Sequence, residues 1–321
     1  MRVSAANEPR ERSEPAKRRA SERVGGAGGA KPPGGMIDTH QHYWRYDPAA
    51  YAWIDDSMAA LQRDFLPPDV HREMVLTGIT ASIAVQARQT LDETRFLLDQ
   101  SDRYPFVAGV VGWIDLQSGD VERQLAEFHD RSALVGLRHI VQSEPAGFLA
   151  RPAFLAAIGR LEHTGLVFDI LVYARQLPEA VQFARAFPRQ RFVLDHLGKP
   201  DIRGNGYREW LRHFADFAAL PNVACKLSGR VTEADWRSWT PGLLRPYIDA
   251  ALETFGASRL MLGSDWPVCT VAASYKAAVG LVLDVVDEYS DNEQQQILEG
   301  TARQTYSIPS FRLTGGRPED G

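Results

Sequence analysis

Several polar residues stand at the ends of short apolar, β-branched runs, where strands would carry them to their carboxyl ends. The first run, Met36-Ile37-Asp38-Thr39-His40-Gln41-His42, passes from apolar to polar within seven residues. Side chains alternate across a strand, so Asp38, His40 and His42 are expected on one face and Ile37 and Thr39 on the other. Two neutral imidazoles side by side suit a borderline cation such as zinc, or binding and proton transfer without a metal. A second run, Arg191-Phe-Val-Leu-Asp-His-Leu-Gly-Lys-Pro200, ends at Asp195-His196, with His196 expected on the inward face together with Phe192 and Leu194. Gly198 and Pro200 then close the strand. A third, Leu260-Met-Leu-Gly-Ser-Asp-Trp-Pro267, puts Asp265 on the face of Met261 and Gly263. A carboxylate at the end of an apolar strand is costly unless it meets an imidazole, a metal or a substrate. The ordinary alternative is a helix N-cap, which Trp266-Pro267 makes less natural.

Other strand ends supply further candidates. In Asn222-Val-Ala-Cys-Lys-Leu-Ser-Gly229, Lys226 shares its face with the small Ala224 and Ser228, which leaves it room to reach an anionic or carbonyl oxygen. A buried salt bridge inside the fold is the competing account. Of Arg138 and His139, one must face inward and the other outward, and alternation does not say which. Gln86 and Tyr173 end two more runs and are placed for contacts to substrate hydroxyls, as is Trp113; packing explains the same residues. Tyr43, Trp44, Tyr46, Tyr51 and Trp53 follow the first run, where flat rings would cover a sugar-like ring or pack on the rim.

The elements that must position these residues follow one rhythm. Candidate strands start near residues 36, 79, 106, 134, 167, 191, 222 and 259, with amphipathic stretches between them. The mean spacing, about 32 residues, is one strand-plus-helix unit. Leu244, Tyr247, Ile248, Ala251, Leu252 and Phe255 form one helical stripe, and Trp210, Leu211, Phe214 and Phe217 another. Eight such units predict an α/β fold, a single (β/α)8 TIM barrel over residues 36–310. Residues 1–35 contain no Leu, Ile, Phe, Tyr or Trp and are expected to be a disordered basic, Gly/Pro-rich extension, with residues 311–321 a C-terminal tail.

Composition narrows the function. Of 321 residues, 44% are hydrophobic and 24% charged, which is globular usage, and no apolar run is long enough to span a bilayer. The first 35 residues hold six Arg and two Lys against four Glu, a net +4, which leaves −9 on the rest. An acidic body speaks against nucleic acid and anionic membrane as partners. Cys225 and Cys269 lack the spacing of a zinc or redox pair and fit a reducing cytoplasm. There is no Gly-x-Ser-x-Gly elbow and no Walker loop, and Gly204-Asn205-Gly206 reads as a turn.

Seven motifs in order resemble the amidohydrolase superfamily, and within it the amidohydrolase-related TIM-barrel hydrolases that include sugar-acid lactonases acting on L-fuconolactone or L-rhamnonolactone. They are Ile37-Asp-Thr-His-Gln-His-Tyr-Trp44, Asp64-Phe-Leu-Pro67, Gly109-Val-Val-Gly-Trp-Ile-Asp115, Gly136-Leu-Arg-His139, Leu194-Asp-His-Leu-Gly-Lys-Pro200, Cys225-Lys-Leu-Ser-Gly229 and Gly263-Ser-Asp-Trp-Pro267. The resemblance implies that His40, His42, His196 and Asp265 form one centre, with Asp265 the general base. The chain departs from binuclear members of the superfamily, since no Lys stands on the fourth strand to be carbamylated and Val167–Tyr173 contains no His. One divalent ion, zinc ahead of manganese, or no metal at all, is therefore what it implies. The expected reaction is opening of a small lactone by water activated by Asp265, with His196, Lys226 or a metal ion stabilising the oxyanion. A metal-dependent decarboxylase and a ligand-binding barrel without turnover are the alternatives. The expected partner is the small-molecule substrate, for a monomer or homodimer.

Overall fold

Eight short apolar runs pair in sequence order into one parallel sheet: β1 (Met36–Gln41), β2 (Ile79–Val85), β3 (Val107–Gly112), β4 (Leu134–His139), β5 (Val167–Ile170), β6 (Phe192–Leu194), β7 (Val223–Leu227) and β8 (Leu260–Leu262). Each starts within one residue of its expected position. The computed structural model describes residues 35–309, so the N-terminal extension up to Gly34 and the C-terminal tail lie outside the described residues. Helices join consecutive strands, as parallel pairing requires. The sheet closes on itself beyond the last residue of β8: Gln41 and Trp266 form a parallel bridge, the Asp265 N–H donates to the His40 carbonyl at 2.9 Å, and the His42 N–H donates to the Trp266 carbonyl at 2.7 Å. This seam therefore belongs to the two segments that carry the histidines and the carboxylate. Among the described residues no helix is long and apolar enough to cross a membrane.

Two apolar layers hold the barrel together. Its interior is filled by residues that include Ile37, Ile83, Val111, Val193 and Met261, and Ala302, Tyr306 and Ile308 from the C-terminal helical segment pack against them. The outer layer joins strands to helices. In helix Pro241–Phe255 all six residues of the predicted stripe are buried, and Trp210, Phe214 and Phe217 are buried while Leu211 is partly covered. Burying a side chain of this size is worth about 1.5–3 kcal/mol. Gly204-Asn205-Gly206 forms a turn, with Asn205 in the left-handed region at φ 58°.

One buried guanidinium stands apart in this arrangement. Arg230, directly after the left-handed Gly229, is 3% exposed, and its Nε and Nη1 have no hydrogen-bond partner among the described residues. Burial pulls its guanidinium down to about 10. A polar group buried without a partner costs about 1–3 kcal/mol, so Arg230→Met is expected to raise stability by about that amount. Urea unfolding of the two proteins checks this; a lower midpoint for the variant would show that the guanidinium is satisfied after all.

Candidate active site

The first strand does not alternate cleanly. Its register on β2 shifts between Met36 and Ile37 and again between Asp38 and Gln41. Ile37, expected opposite the histidines, packs inside the barrel. Asp38, expected beside them, turns toward the helix layer: its Oδ2 accepts from Gln41 Nε2 at 2.7 Å and from the Tyr275 hydroxyl at 3.1 Å, and its Oδ1 accepts from the Ser264 N–H at 2.8 Å. Asp38 thus braces the β1–β8 seam. His40 and His42 do converge, with their Nε2 atoms 3.1 Å apart. His42 Nδ1 donates to the Val85 carbonyl at 2.7 Å, which leaves its Nε2 lone pair for the site.

His196 reaches the same place by a different route from the one its strand predicts. Phe192 and Leu194 face the helix layer, whereas Val193 faces the barrel interior. The strand ends at Leu194, and His196, Leu197, Gly198 and Lys199 all take positive φ, at 53°, 56°, 66° and 46°. For the three residues other than glycine that is a left-handed conformation costing roughly 1–2 kcal/mol each, of the kind that persists where a site is built. It swings His196 inward, where its Nδ1 lies 2.8 Å from Ser228 Oγ and its ring centroid 4.3 Å from that of His40. Asp265 also sits at positive φ, 63°, beyond the end of β8. It caps no helix: the following turn begins after Pro267 with no side-chain cap.

Four groups then meet. Asp265 Oδ1 lies 3.5 Å from His42 Nε2, 3.8 Å from His40 Nε2 and 3.9 Å from His196 Nε2. His40, His196 and Asp265 offer ligand atoms that are all within 4.8 Å of one another. Ligands about 2.0–2.1 Å from a tetrahedral zinc ion lie roughly 3.3–3.4 Å apart, close to the shorter of these separations. Burial would raise the Asp265 carboxyl, but His196, His42 and His40 hold it well below the usual carboxylate range. Burial lowers His196 to about 4, and burial likewise takes His40 well below the ordinary imidazole value. At neutral pH His40 and His196 are neutral and Asp265 is a carboxylate, the protonation state a divalent cation needs.

Beneath this set lies a dry ionic network. Lys226, on the predicted inward face, is fully buried, and its Nζ lies 2.5 Å from Asp169 Oδ2, 3.0 Å from Asp195 Oδ1 and 3.3 Å from His40 Nδ1. Held by two carboxylates below the cavity, it is not free to meet an oxyanion, and the buried salt bridge is the account its geometry supports. Arg138 is the inward member of its pair: its Nη1 donates to Asp195 Oδ2 at 2.9 Å and lies 3.3 Å from His40 Nε2, so one lone pair on His40 faces either this guanidinium or a metal ion. Burial would raise Asp195, but Lys226, His40 and Arg138 hold it well below the usual range, whereas burial lifts Asp169 to about 6. Tyr306 donates to Asp169 Oδ1 at 2.8 Å and links the network to the C-terminal helical segment.

A cavity of about 470 Å³ is lined by His42, His196 and Asp265 of this set and by Arg138, Tyr173, Gln142, Lys199, Glu233 and Trp236. Tyr173 is therefore where a substrate contact was expected. Four other candidates do not line it. His139 stacks on Phe148 with ring centroids 4.6 Å apart and pairs with Glu144 at 2.9 Å, and Trp113 Nε1 donates to His139. Gln86 is buried and donates to the Arg138 carbonyl at 3.1 Å. Trp44 is buried behind His42 and bonds the Arg63 carbonyl at 2.9 Å. Of the aromatic loop only Trp53 reaches the cavity; Tyr43 and Tyr51 pack within the core. Sequence reasoning missed Asp169, Asp195, Lys199 and Glu233. Asp169 had a signal, a lone charge within an apolar strand.

The sequence profile of the amidohydrolase family matches residues 37–308. The L-fucono-1,5-lactonase of Burkholderia multivorans is 41% identical over 285 residues, 85% of this chain and 96% of its own length. That of Burkholderia ambifaria is 39% identical over 242 residues, 74% of this chain and 82% of its own. A crystal structure of an amidohydrolase from Burkholderia multivorans with bound zinc superposes with a TM-score of 0.83 at 40% identity, over 85% of this chain and 99% of that one.

The His196 ring depends on an absent side chain. A Cβ on Gly229, at φ 69°, would stand 2.6 Å from His196 Cγ and Nδ1. Gly229→Ala is therefore expected to displace the ring and to weaken divalent-cation binding in equilibrium dialysis, besides costing about 1–2 kcal/mol for the left-handed alanine. Undiminished cation binding by a folded variant would show that His196 is not a ligand.

Proposed function

The chain belongs to the amidohydrolase family, and from that premise we propose that it is a lactonase that opens the ring ester of a sugar acid of the L-fuconolactone or L-rhamnonolactone kind. One observation carries the reading: three imidazoles and an ionised, buried carboxylate converge, and His42, His196 and Asp265 of that set line a cavity large enough for one small cyclic substrate. The names of its relatives support the substrate class. His40, His42, His196 and Asp265 are the residues that would hold a divalent ion, and a nitrogen-rich donor set favours zinc over manganese. Such an ion, when bound, supplies Lewis-acid polarisation of the ester carbonyl.

The remaining steps fall to the chain's own groups. Asp265 presents Oδ1 to the imidazoles, and we assign the proton transfer to its other oxygen, which takes a proton from the attacking water. Arg138, lining the cavity and anchored by Asp195, offers positive charge to the oxyanion as it forms. The ring oxygen then leaves as an alkoxide and recovers the proton from Asp265, so one carboxyl group serves as base and then as acid. Lys226 holds Asp195 and faces Nδ1 of His40 from below, a positioning task. A decarboxylase would need the same centre but would release carbon dioxide.

A pH-indicator assay on aldonolactones, run with and without chelator and with zinc or manganese restored, tests the reading. Acid release without carbon dioxide is expected, and Asp265→Asn should lower turnover about 10²–10⁴-fold, the span typical of a general base. Carbon dioxide release, or unchanged turnover in the variant, would overturn the assignment. Full activity after complete zinc removal would restrict the metal to an inessential role.

A further inference from the structure

The wall of the same cavity holds a second set of charges that the hydrolytic centre does not use. Lys199 Nζ lies 3.1 Å from Glu233 Oε1 and donates to Gln142 Oε1, also at 3.1 Å. Both members of the ion pair are about four-fifths shielded from solvent, and both line the cavity. The Tyr173 ring lies 5.2 Å from the ammonium, and Trp53 and Trp236 supply further aromatic wall.

We propose that Lys199 and Glu233 form a diol clamp that grips adjacent hydroxyls of the substrate beside its ester carbonyl; this rests on the lactonase reading above. The chemistry of the pair selects the ligand class. A free anion would meet the Glu233 carboxylate and a free cation the Lys199 ammonium, so neither gains from the site. A neutral vicinal diol gains from both, because one hydroxyl donates to the carboxylate while its neighbour accepts from the ammonium, and the ion pair need not break. Aromatic faces beside such a pair suit the C–H surface of a polyhydroxylated ring or chain. Burial raises the Glu233 carboxyl while Lys199 opposes that rise, so the two charges depend on each other.

The backbone fixes the distance between clamp and centre. Lys199 is the last residue of the left-handed turn that begins at His196, and its N–H donates to the His196 carbonyl at 2.9 Å. Glu233 follows the segment in which Ser228 holds His196 Nδ1 at 2.8 Å, and its own carbonyl accepts from the Arg203 N–H at 3.0 Å. Turn strain that places the imidazole therefore also places the ammonium, and the clamp measures a fixed reach from the reacting carbonyl.

The test compares L-fuconolactone with δ-valerolactone, which lacks hydroxyls, for wild type and for the double variant Lys199→Met/Glu233→Gln, which removes both charges together. The ratio of kcat/KM for the hydroxylated over the bare lactone is expected to fall about 10- to 100-fold, mainly through KM, as for loss of hydrogen bonds to charged groups. Quenching of tryptophan fluorescence by the neutral polyol L-fucitol should saturate in wild type and be lost in the variant. An unchanged ratio, with both substrates slowed alike, would mean that the pair is only a structural bridge. If wild type hydrolyses neither lactone, the lactonase reading fails, and the fluorescence titration still decides the clamp: saturable binding lost in the variant supports it, and equal binding by both proteins overturns it.

Discussion

Lys226 carries an ammonium group into the middle of the barrel with no contact to water, and only Asp169 and Asp195 make that tolerable. Desolvating a charge costs several kcal/mol even after relaxation, so each member of the cluster requires the others. The arrangement is correspondingly specific. Asp195 is shared among Lys226, Arg138 and His40, and Asp169 among Lys226 and Tyr306. Because His40 is the upper member of this cluster and also one of the imidazoles that converge with Asp265, the fold's internal electrostatics and the proposed chemistry meet in one residue. A mutation that breaks the cluster would leave a buried carboxylate uncompensated and move His40 with it.

The second constraint is backbone strain. His196, Lys199 and Asp265 all occupy the left-handed region, and each begins or ends a short excursion beyond a strand only three residues long. Such positions persist where surrounding contacts over-determine them. Here those contacts are visible: Ser228 on His196, Glu233 and Gln142 on Lys199, and the His40 carbonyl on the Asp265 N–H. Barrel closure runs through the last of these, so the same hydrogen bond that joins the first and last strands also fixes the carboxylate.

The strand rhythm was legible because parallel strands in a barrel are uniformly apolar, and a run of Val, Ile and Leu marks them well. Convergence of His40, His42, His196 and Asp265 followed from placing those runs in order. Facing was less legible, since alternation holds only inside a regular strand. It failed at Asp38, where the register shifts, and at Phe192 and Leu194, which face the helices while His196 is returned inward by the turn. Trp44, Trp113, Gln86 and His139 were misplaced for a related reason: one step along a strand end exchanges the cavity for the helix layer or the core. Lys199 lies in a connecting turn and Glu233 ends a helix of only four residues, both too short for a period to be read.

The proposed reaction turns on one step, attack on the lactone carbonyl by a water molecule whose proton passes to Asp265. A single turnover by excess enzyme in water labelled with heavy oxygen, followed by mass spectrometry of the released acid and of the peptide bearing Asp265, tests it directly. The account predicts one labelled oxygen in the product carboxyl group and none in the peptide. Unlabelled product with label appearing on Asp265 would make that residue a nucleophile, and label on the ring carbon's hydroxyl would place the cleavage on the wrong side of the ester oxygen.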